Sequence, residues 1–176
     1  VEMQFRDLRV QYQALKADID AEIKAVIESS AFILGKPVTE LENKLAKYVG
    51  RKHCVTCGNG TDALQLALMT LGVGPGDAVF TSDFTYFASA GSASIHGATP
   101  VFSDIDLATF NMNPKSLEEQ INKVLVENRL VPKVIIPVDL FGQPADYDEI
   151  LPIAAKYGLK VLEDGAQGFG GKIRGR

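Results

Sequence analysis

The chain has 176 residues, 18 Lys+Arg against 22 Asp+Glu, a formal net charge of −4, and 46% apolar residues. That length suits one ordinary domain or a piece of something larger, and the composition is globular rather than disordered. The acidic balance argues against nonspecific binding to nucleic acid or an anionic membrane. No apolar run reaches a spanning length, no basic-then-apolar leader is seen, and two Cys exclude a disulfide scaffold. A cytoplasmic, enzyme-like domain is the expectation.

The first fifty residues read as helical, with Ala14, Leu15, Ile19, Ile23, Val26 and Ile27 recurring at helical spacing. Ser29-Ser30 and Gly35-Lys36-Pro37 interrupt the pattern, and a second helix is expected from about Thr39, as cap, to Tyr48, closed by Gly50. The rhythm then changes, which divides the chain into a helical segment over 1–50 and an α/β part over 51–176. Short apolar runs at Cys54–Cys57, Ala78–Thr81, Pro100–Phe102, Lys133–Val138 and Lys160–Leu162 alternate with helical patterns. Those helices lie near Thr61–Leu71, Ala88–His96, Pro114–Asn128 and Asp146–Tyr157. Alternation at this spacing predicts parallel strands with helices on both faces, and a ligand crevice beyond the carboxyl ends of the strands.

The residues that follow each strand are therefore where chemistry is expected. Gly58-Asn59-Gly60-Thr61-Asp62-Ala63 runs into a helix, where glycine permits close approach and unpaired N–H groups suit a phosphate. A capped tight turn is the equally weighted reading. The same residues fit the dinucleotide pattern G-x-G-x-x-A, with Asp83 downstream, which keeps a nicotinamide-dependent oxidoreductase open. Ser82-Asp83-Phe84-Thr85-Tyr86-Phe87 offers aromatic faces that either pack under a loop or stack on a planar ring. Glu163 and Asp164 end the last strand. Alternation sends them to opposite faces, so they are not an acid/base dyad, and one carboxylate is expected in the crevice.

Taken in order, these segments resemble the DegT/DnrJ/EryC1/StrS sugar aminotransferases, of fold type I among pyridoxal-phosphate enzymes. The resemblance runs from Phe5-Arg6-Asp7-Leu8 through Phe32-Ile33-Leu34-Gly35, Val38-Thr39-Glu40-Leu41-Glu42, Asn59-Gly60-Thr61-Asp62-Ala63-Leu64 and Gly74-Pro75-Gly76-Asp77. It continues through Phe84-Thr85-Tyr86, Asp104-Ile105-Asp106 and Phe141-Gly142-Gln143 to Glu163-Asp164-Gly165-Ala166-Gln167. It implies a three-layer α/β/α large domain with a mostly parallel sheet, incomplete at the C-terminus, with the small C-terminal domain absent. The implied cofactor is pyridoxal 5'-phosphate. Gly60 and Thr61 would hold its phosphate, Tyr86 would stack on its ring, Asp164 would pair with the pyridinium nitrogen, and Gln167 would lie near the ring and its 3-hydroxyl. The implied reaction converts a keto nucleotide sugar to an amino sugar, with glutamate as donor, in surface polysaccharide such as lipopolysaccharide or related biosynthesis. The look is closest to members that aminate a 3-keto nucleotide sugar, such as a UDP-linked 2-acetamido-3-keto uronic acid. A homodimer is implied as well.

Two departures accompany the resemblance. Gly165 stands where the family usually has Ala. The Schiff-base lysine is expected beyond Arg176, so Lys172 reads as a solvent-facing loop residue, and a sugar dehydratase of the same family stays open. A noncatalytic relative that only binds partners is the third reading. Cys54 and Cys57 read as two small buried hydrophobes rather than a redox or zinc pair, and His53 adds no ligand set. His96 reads as a helix-end residue, Asp104 and Asp106 as turn formers without a calcium loop, and no metal is expected. Lys115, Glu118, Glu119 and Lys123 read as an exposed helix face with (i, i+4) pairing.

Overall fold

The computed structural model describes residues 7–175. Phe5 and Arg6, where the sequence resemblance begins, lie outside them. Two compact units divide between Thr56 and Cys57.

The first unit holds two helices. α1, Leu8–Ser29, starts at Asp7, whose carboxylate accepts from Arg9 N (2.9 Å) and Val10 N (3.3 Å), and stops where Ser30 turns left-handed at φ 54°. Its spacing is helical as expected, yet none of its residues is buried. α2, Lys36–Tyr48, begins three residues ahead of the expected Thr39 cap. The correction has a local cause: Pro37 sits in the first turn, where a missing N–H costs nothing, and Gly35 takes the cap position. A proline that reads as a breaker is here a starter.

Cys54–Cys57 is not a strand, against expectation. The Glu42 carboxylate takes both the Thr56 N–H and its hydroxyl, each at 2.9 Å, so that backbone donor is spent on a side chain rather than a ladder. The cysteines are correspondingly not both buried: Cys54 is half-buried and Cys57 exposed. The two Thr56 donors also hold the Glu42 carboxyl below the usual carboxylate range. A carboxyl depressed in this way stabilises the fold above its unfolded value of 4.5 and loses that contribution as pH falls through its folded value. An NMR titration should therefore place the Glu42 midpoint below 4.5, and Thr56→Val, which keeps the backbone donor and removes the hydroxyl, should return it part of the way. A midpoint unmoved by that change would show the hydroxyl contact to be idle.

In the second unit, α3 (Gly60–Thr70), β1 (Asp77–Ser82), α4 (Ala88–Ile95), β2 (Thr99–Ser103) and α5 (Pro114–Glu127) follow in order. They are followed by β3 (Val131–Ile136), a 3-10 turn at Leu140–Gly142, α6 (Tyr147–Tyr157) and β4 (Lys160–Val161). The strands form one parallel sheet in the order β2-β1-β3-β4. Successive side chains leave a strand on opposite faces, and the core follows that rule. Ala78, Phe80 and Ile135 pack with Leu117, Ile121, Ile150 and Ala154 of α5 and α6. Val79, Val134 and Ile136 pack on the other face with Leu64, Leu68, Ala88 and Ala93 of α3 and α4. This is the three-layer α/β/α arrangement expected from the alternation.

β3 ends earlier than the expected Lys133–Val138, because Pro137 has no N–H to give to a ladder. Pairing resumes just beyond it, where Val138 bridges Asp164. Glu118 is also not one member of an (i, i+4) face. It crosses to α6, where its carboxylate takes Lys156 Nζ at 2.7 Å and the Tyr157 hydroxyl at 3.1 Å. His96 caps the end of α4, and Asp106 closes its turn by accepting from Ala108 N and Thr109 N, both as read from the sequence.

Candidate functional site

Parallel strands leave their carboxyl ends along one edge, and a helix entering or leaving such a strand starts or stops there. α4 follows β1 and so starts at this edge, and the segment after β4 starts here too. α3 leads through residues 71–76 into the opposite end of β1, a connection that in a layered parallel sheet directs the N-terminus of the helix to this edge.

Asp164 is held from both sides by the resumed pairing beyond Pro137. Its N–H donates to Pro137 O at 2.9 Å, and its carbonyl accepts from Asp139 N at 3.1 Å. The side chain is 8% exposed. One carboxylate oxygen takes the Ser89 hydroxyl at 2.8 Å and the other takes Ala166 N at 3.3 Å. The lysines and arginines that form ion pairs in this unit go to Asp77, Glu118 and Asp148, so Asp164 has no cation among the described residues. A buried carboxylate without one is costly. The site therefore asks for a positively charged or protonated group from a ligand. Glu163, its neighbour in sequence, is exposed, as alternation requires.

At the start of α3, Asn59 caps the helix by accepting from Asp62 N at 2.9 Å, and its own amide donates to the Asp62 carboxylate at 3.0 Å. Ala63 N bonds Asn59 O. That leaves the N–H groups of Gly60 and Thr61 and the Thr61 hydroxyl without a bond among the described residues. A Cβ built on Gly60 would meet nothing within 4 Å, so the approach to these donors is open. Free donors at the positive end of an 11-residue helix suit an anion of phosphate type. The dinucleotide pattern, by contrast, needs a strand running directly into the glycines, and residues 51–59 contain none.

Of the aromatic residues after β1, Phe84 is occupied: its ring lies 5.8 Å from that of Phe110. Tyr86 is 72% exposed and borders an apolar cleft of about 410 Å³ with Phe87, Pro100 and Phe102, so its face is available to a planar ring. Gln167 is exposed, and its Oε1 accepts from Phe141 N at 2.8 Å, which commits that oxygen to the loop and leaves its amide N–H groups to a ligand. Gly165 is not a conformational requirement, since an added Cβ would meet only the tip of Glu163 at 3.3 Å. Lys172 is exposed, as expected.

Three residues went unremarked in the sequence. Asp139 is 3% exposed and accepts from Ala145 N (3.0 Å) and the Tyr147 hydroxyl (2.9 Å). Burial, then the Asp139 charge, push the Tyr147 hydroxyl pKa up, so it stays a donor. Asn111 clamps the same loop, donating to Gln143 O and Pro144 O and accepting from Leu140 N. The rule that singled out Asp164, a carboxylate just past a strand, would also have found Asp139. Ser89 carries no comparable signal.

Gly168 packs directly on Asp139. A Cβ at 168 would stand 2.5 Å from Asp139 Cβ and 2.8 Å from Oδ2, next to the segment that carries Asp164. Gly168→Ala should cost about 1–3 kcal/mol, read by chemical denaturation. At Gly91 the nearest atoms to an added Cβ all belong to the ring of Phe87, which is 80% exposed and can swing aside, so Gly91→Ala should cost much less. Equal costs would contradict this packing argument.

The family model for the DegT/DnrJ/EryC1/StrS aminotransferase family matches residues 13–176. The chain is 49% identical over 174 residues to the UDP-2-acetamido-2-deoxy-3-oxo-D-glucuronate aminotransferase of Pseudomonas aeruginosa, covering 99% of this chain and 46% of that protein. A crystal structure of a DegT DnrJ EryC1 StrS aminotransferase from Brucella abortus superposes with a TM-score of 0.94 at 47% identity, over 96% of this chain and 45% of that one. NtdA from Bacillus subtilis, solved with bound cofactor PMP, gives a TM-score of 0.81 at 32% identity, over 88% and 34%. The chain thus spans about half, or less, of the length of the relatives it matches.

Proposed function

Because the chain belongs to the DegT/DnrJ/EryC1/StrS aminotransferase family, we propose that it forms the cofactor-binding part of a pyridoxal-phosphate-dependent sugar aminotransferase. The reaction is conversion of a keto nucleotide sugar to an amino sugar with glutamate as donor. The observation that carries this reading is the buried Asp164 carboxylate, which among the described residues meets two hydrogen-bond donors and no cation.

When bound, pyridoxal 5'-phosphate supplies an electron sink and carries the amino group between donor and acceptor. The residues present fit it. Asp164 holds a proton at the ring nitrogen, since an opposite charge at close range favours the protonated form. The free donors of Gly60 and Thr61 bind the phosphate, and Tyr86 covers one ring face. The Gln167 amide N–H groups meet the 3-hydroxyl region. These assignments rest on matched sequence positions together with the free donors and the missing cation described above.

The relative from Pseudomonas aeruginosa supports a finer reading of the acceptor as a UDP-linked 2-acetamido-3-keto uronic acid. Such a product belongs to surface polysaccharide assembly, including lipopolysaccharide, from nucleotide-linked precursors. That setting places the enzyme in the cytoplasm, and the family resemblance favours a homodimer. No helix among the described residues is long and apolar enough to cross a membrane.

The test uses the full-length protein loaded with pyridoxal 5'-phosphate. Glutamate alone should yield a stoichiometric burst of 2-oxoglutarate, and later addition of the keto nucleotide sugar should yield the amino sugar and restore the cofactor spectrum. Absence of the burst, with the cofactor bound, would overturn the transaminase reading.

A further inference from the structure

We propose that Ser89, oriented by Thr85, is a positioning residue that holds the Asp164 carboxylate aimed at the ring nitrogen. The inference rests on the cofactor reading above and adds Ser89, to which the sequence did not point.

Ser89 lies in the first turn of α4, is 0% exposed, and reaches across 75 positions of sequence to donate to Asp164 Oδ2 at 2.8 Å. A carboxylate is an acceptor only, so the single proton of the Ser89 hydroxyl belongs to this bond. The Thr85 hydroxyl stands 3.2 Å from Ser89 Oγ. With the serine proton committed, Thr85 must be the donor there. Donation thus runs one way, from Thr85 to Ser89 to Asp164.

Burial of a serine on α4 does not by itself require such a bond. Ser92, one turn further on and also 0% exposed, has an Oγ with no partner among the described residues. Ser89 differs because its hydroxyl meets a carboxylate that has one other donor among the described residues, the backbone N–H of Ala166 at 3.3 Å. The bond fixes one oxygen of the carboxylate in place and so sets the direction in which the other faces a ligand, which is what a close ion pair with the ring nitrogen requires. Thr85 adjoins Tyr86, and the relay therefore ties the loop that covers the ring face to the residue that holds the ring nitrogen.

The full-length protein reconstituted with pyridoxal 5'-phosphate labelled with ¹⁵N in the ring tests this directly. In the wild type the ring-nitrogen shift should report the protonated form through neutral pH. In Ser89→Ala the midpoint of its titration should fall by about one unit, equivalent to a tenfold change. The cofactor dissociation constant, read from visible absorbance, should rise about tenfold. Ser89→Thr, which keeps a hydroxyl, should restore both values, and Thr85→Val should shift them in the same direction by less. Should Ser89→Ala fail to fold, Ser89→Cys replaces it: a near-isosteric thiol is a poor donor and should behave like Ala. A wild type that does not bind the cofactor would overturn the cofactor reading and this one together. A wild type with a protonated ring nitrogen, alongside Ala or Cys variants with the same titration and affinity, would overturn the role of Ser89 alone.

Discussion

Asp164→Asn in the full-length enzyme is expected to lower kcat by on the order of 10²–10³-fold, the loss typical of removing one preorganised electrostatic group. Asn keeps the shape of the side chain, and its one amide oxygen can keep the bond from Ser89 while the bond from Ala166 N, made to the other oxygen, is lost, so packing around residue 164 should largely survive. The charge is removed together with one weak backbone contact, and with the charge goes the reason for the ring nitrogen to hold its proton. Asp164→Ala should be at least as severe, because it also leaves the Ser89 hydroxyl without its acceptor. Steady-state kinetics with a circular-dichroism control separate lost chemistry from lost folding. Retention of rates within a few-fold in the Asn variant would remove Asp164 from the mechanism.

The second large effect concerns stability. Phe80 lies on β1, flanked by β2 and β3, is 0% exposed, and packs on the face shared with Leu117, Ile121 and Ile150. Phe80→Ala should cost about 3–5 kcal/mol, as the lost transfer energy of the ring adds to the cavity it leaves. The ring packs between the sheet and two helices, so the surroundings cannot collapse easily onto the void. The same strand leads through Ser82 into the loop that bears Thr85 and Tyr86, so cofactor affinity should weaken as well. Urea denaturation measures the first effect. A loss below about 1 kcal/mol would mean that the site collapses freely, contrary to the packing described.

Local chemistry was legible in the sequence where it decides the structure. The alternation of short apolar runs with helical patterns predicts the parallel sheet and sends Glu163 and Asp164 to opposite faces with one of them in the crevice; the family resemblance picks Asp164, which is the buried one. The errors arise where a partner distant in sequence decides. Cys54–Cys57 has strand-like composition, but Glu42 takes the Thr56 donors. Glu118 fits a surface ladder on its own helix, but Lys156 lies 38 positions away on another. Ser89 sits among alanines and glycine in a helix that reads as filler, and its meaning depends on a contact across 75 positions. Asp139 is different: the strand-end rule covered it and was not carried to that strand.

The most direct measurement is a crystal structure of the full-length protein with pyridoxal 5'-phosphate bound. This account predicts the ring nitrogen within hydrogen-bonding distance of the Asp164 carboxylate, the phosphate on the N–H groups of Gly60 and Thr61, and the Ser89–Asp164 bond intact. A cofactor with its ring nitrogen turned away from Asp164, or its phosphate bound away from the start of α3, would contradict it.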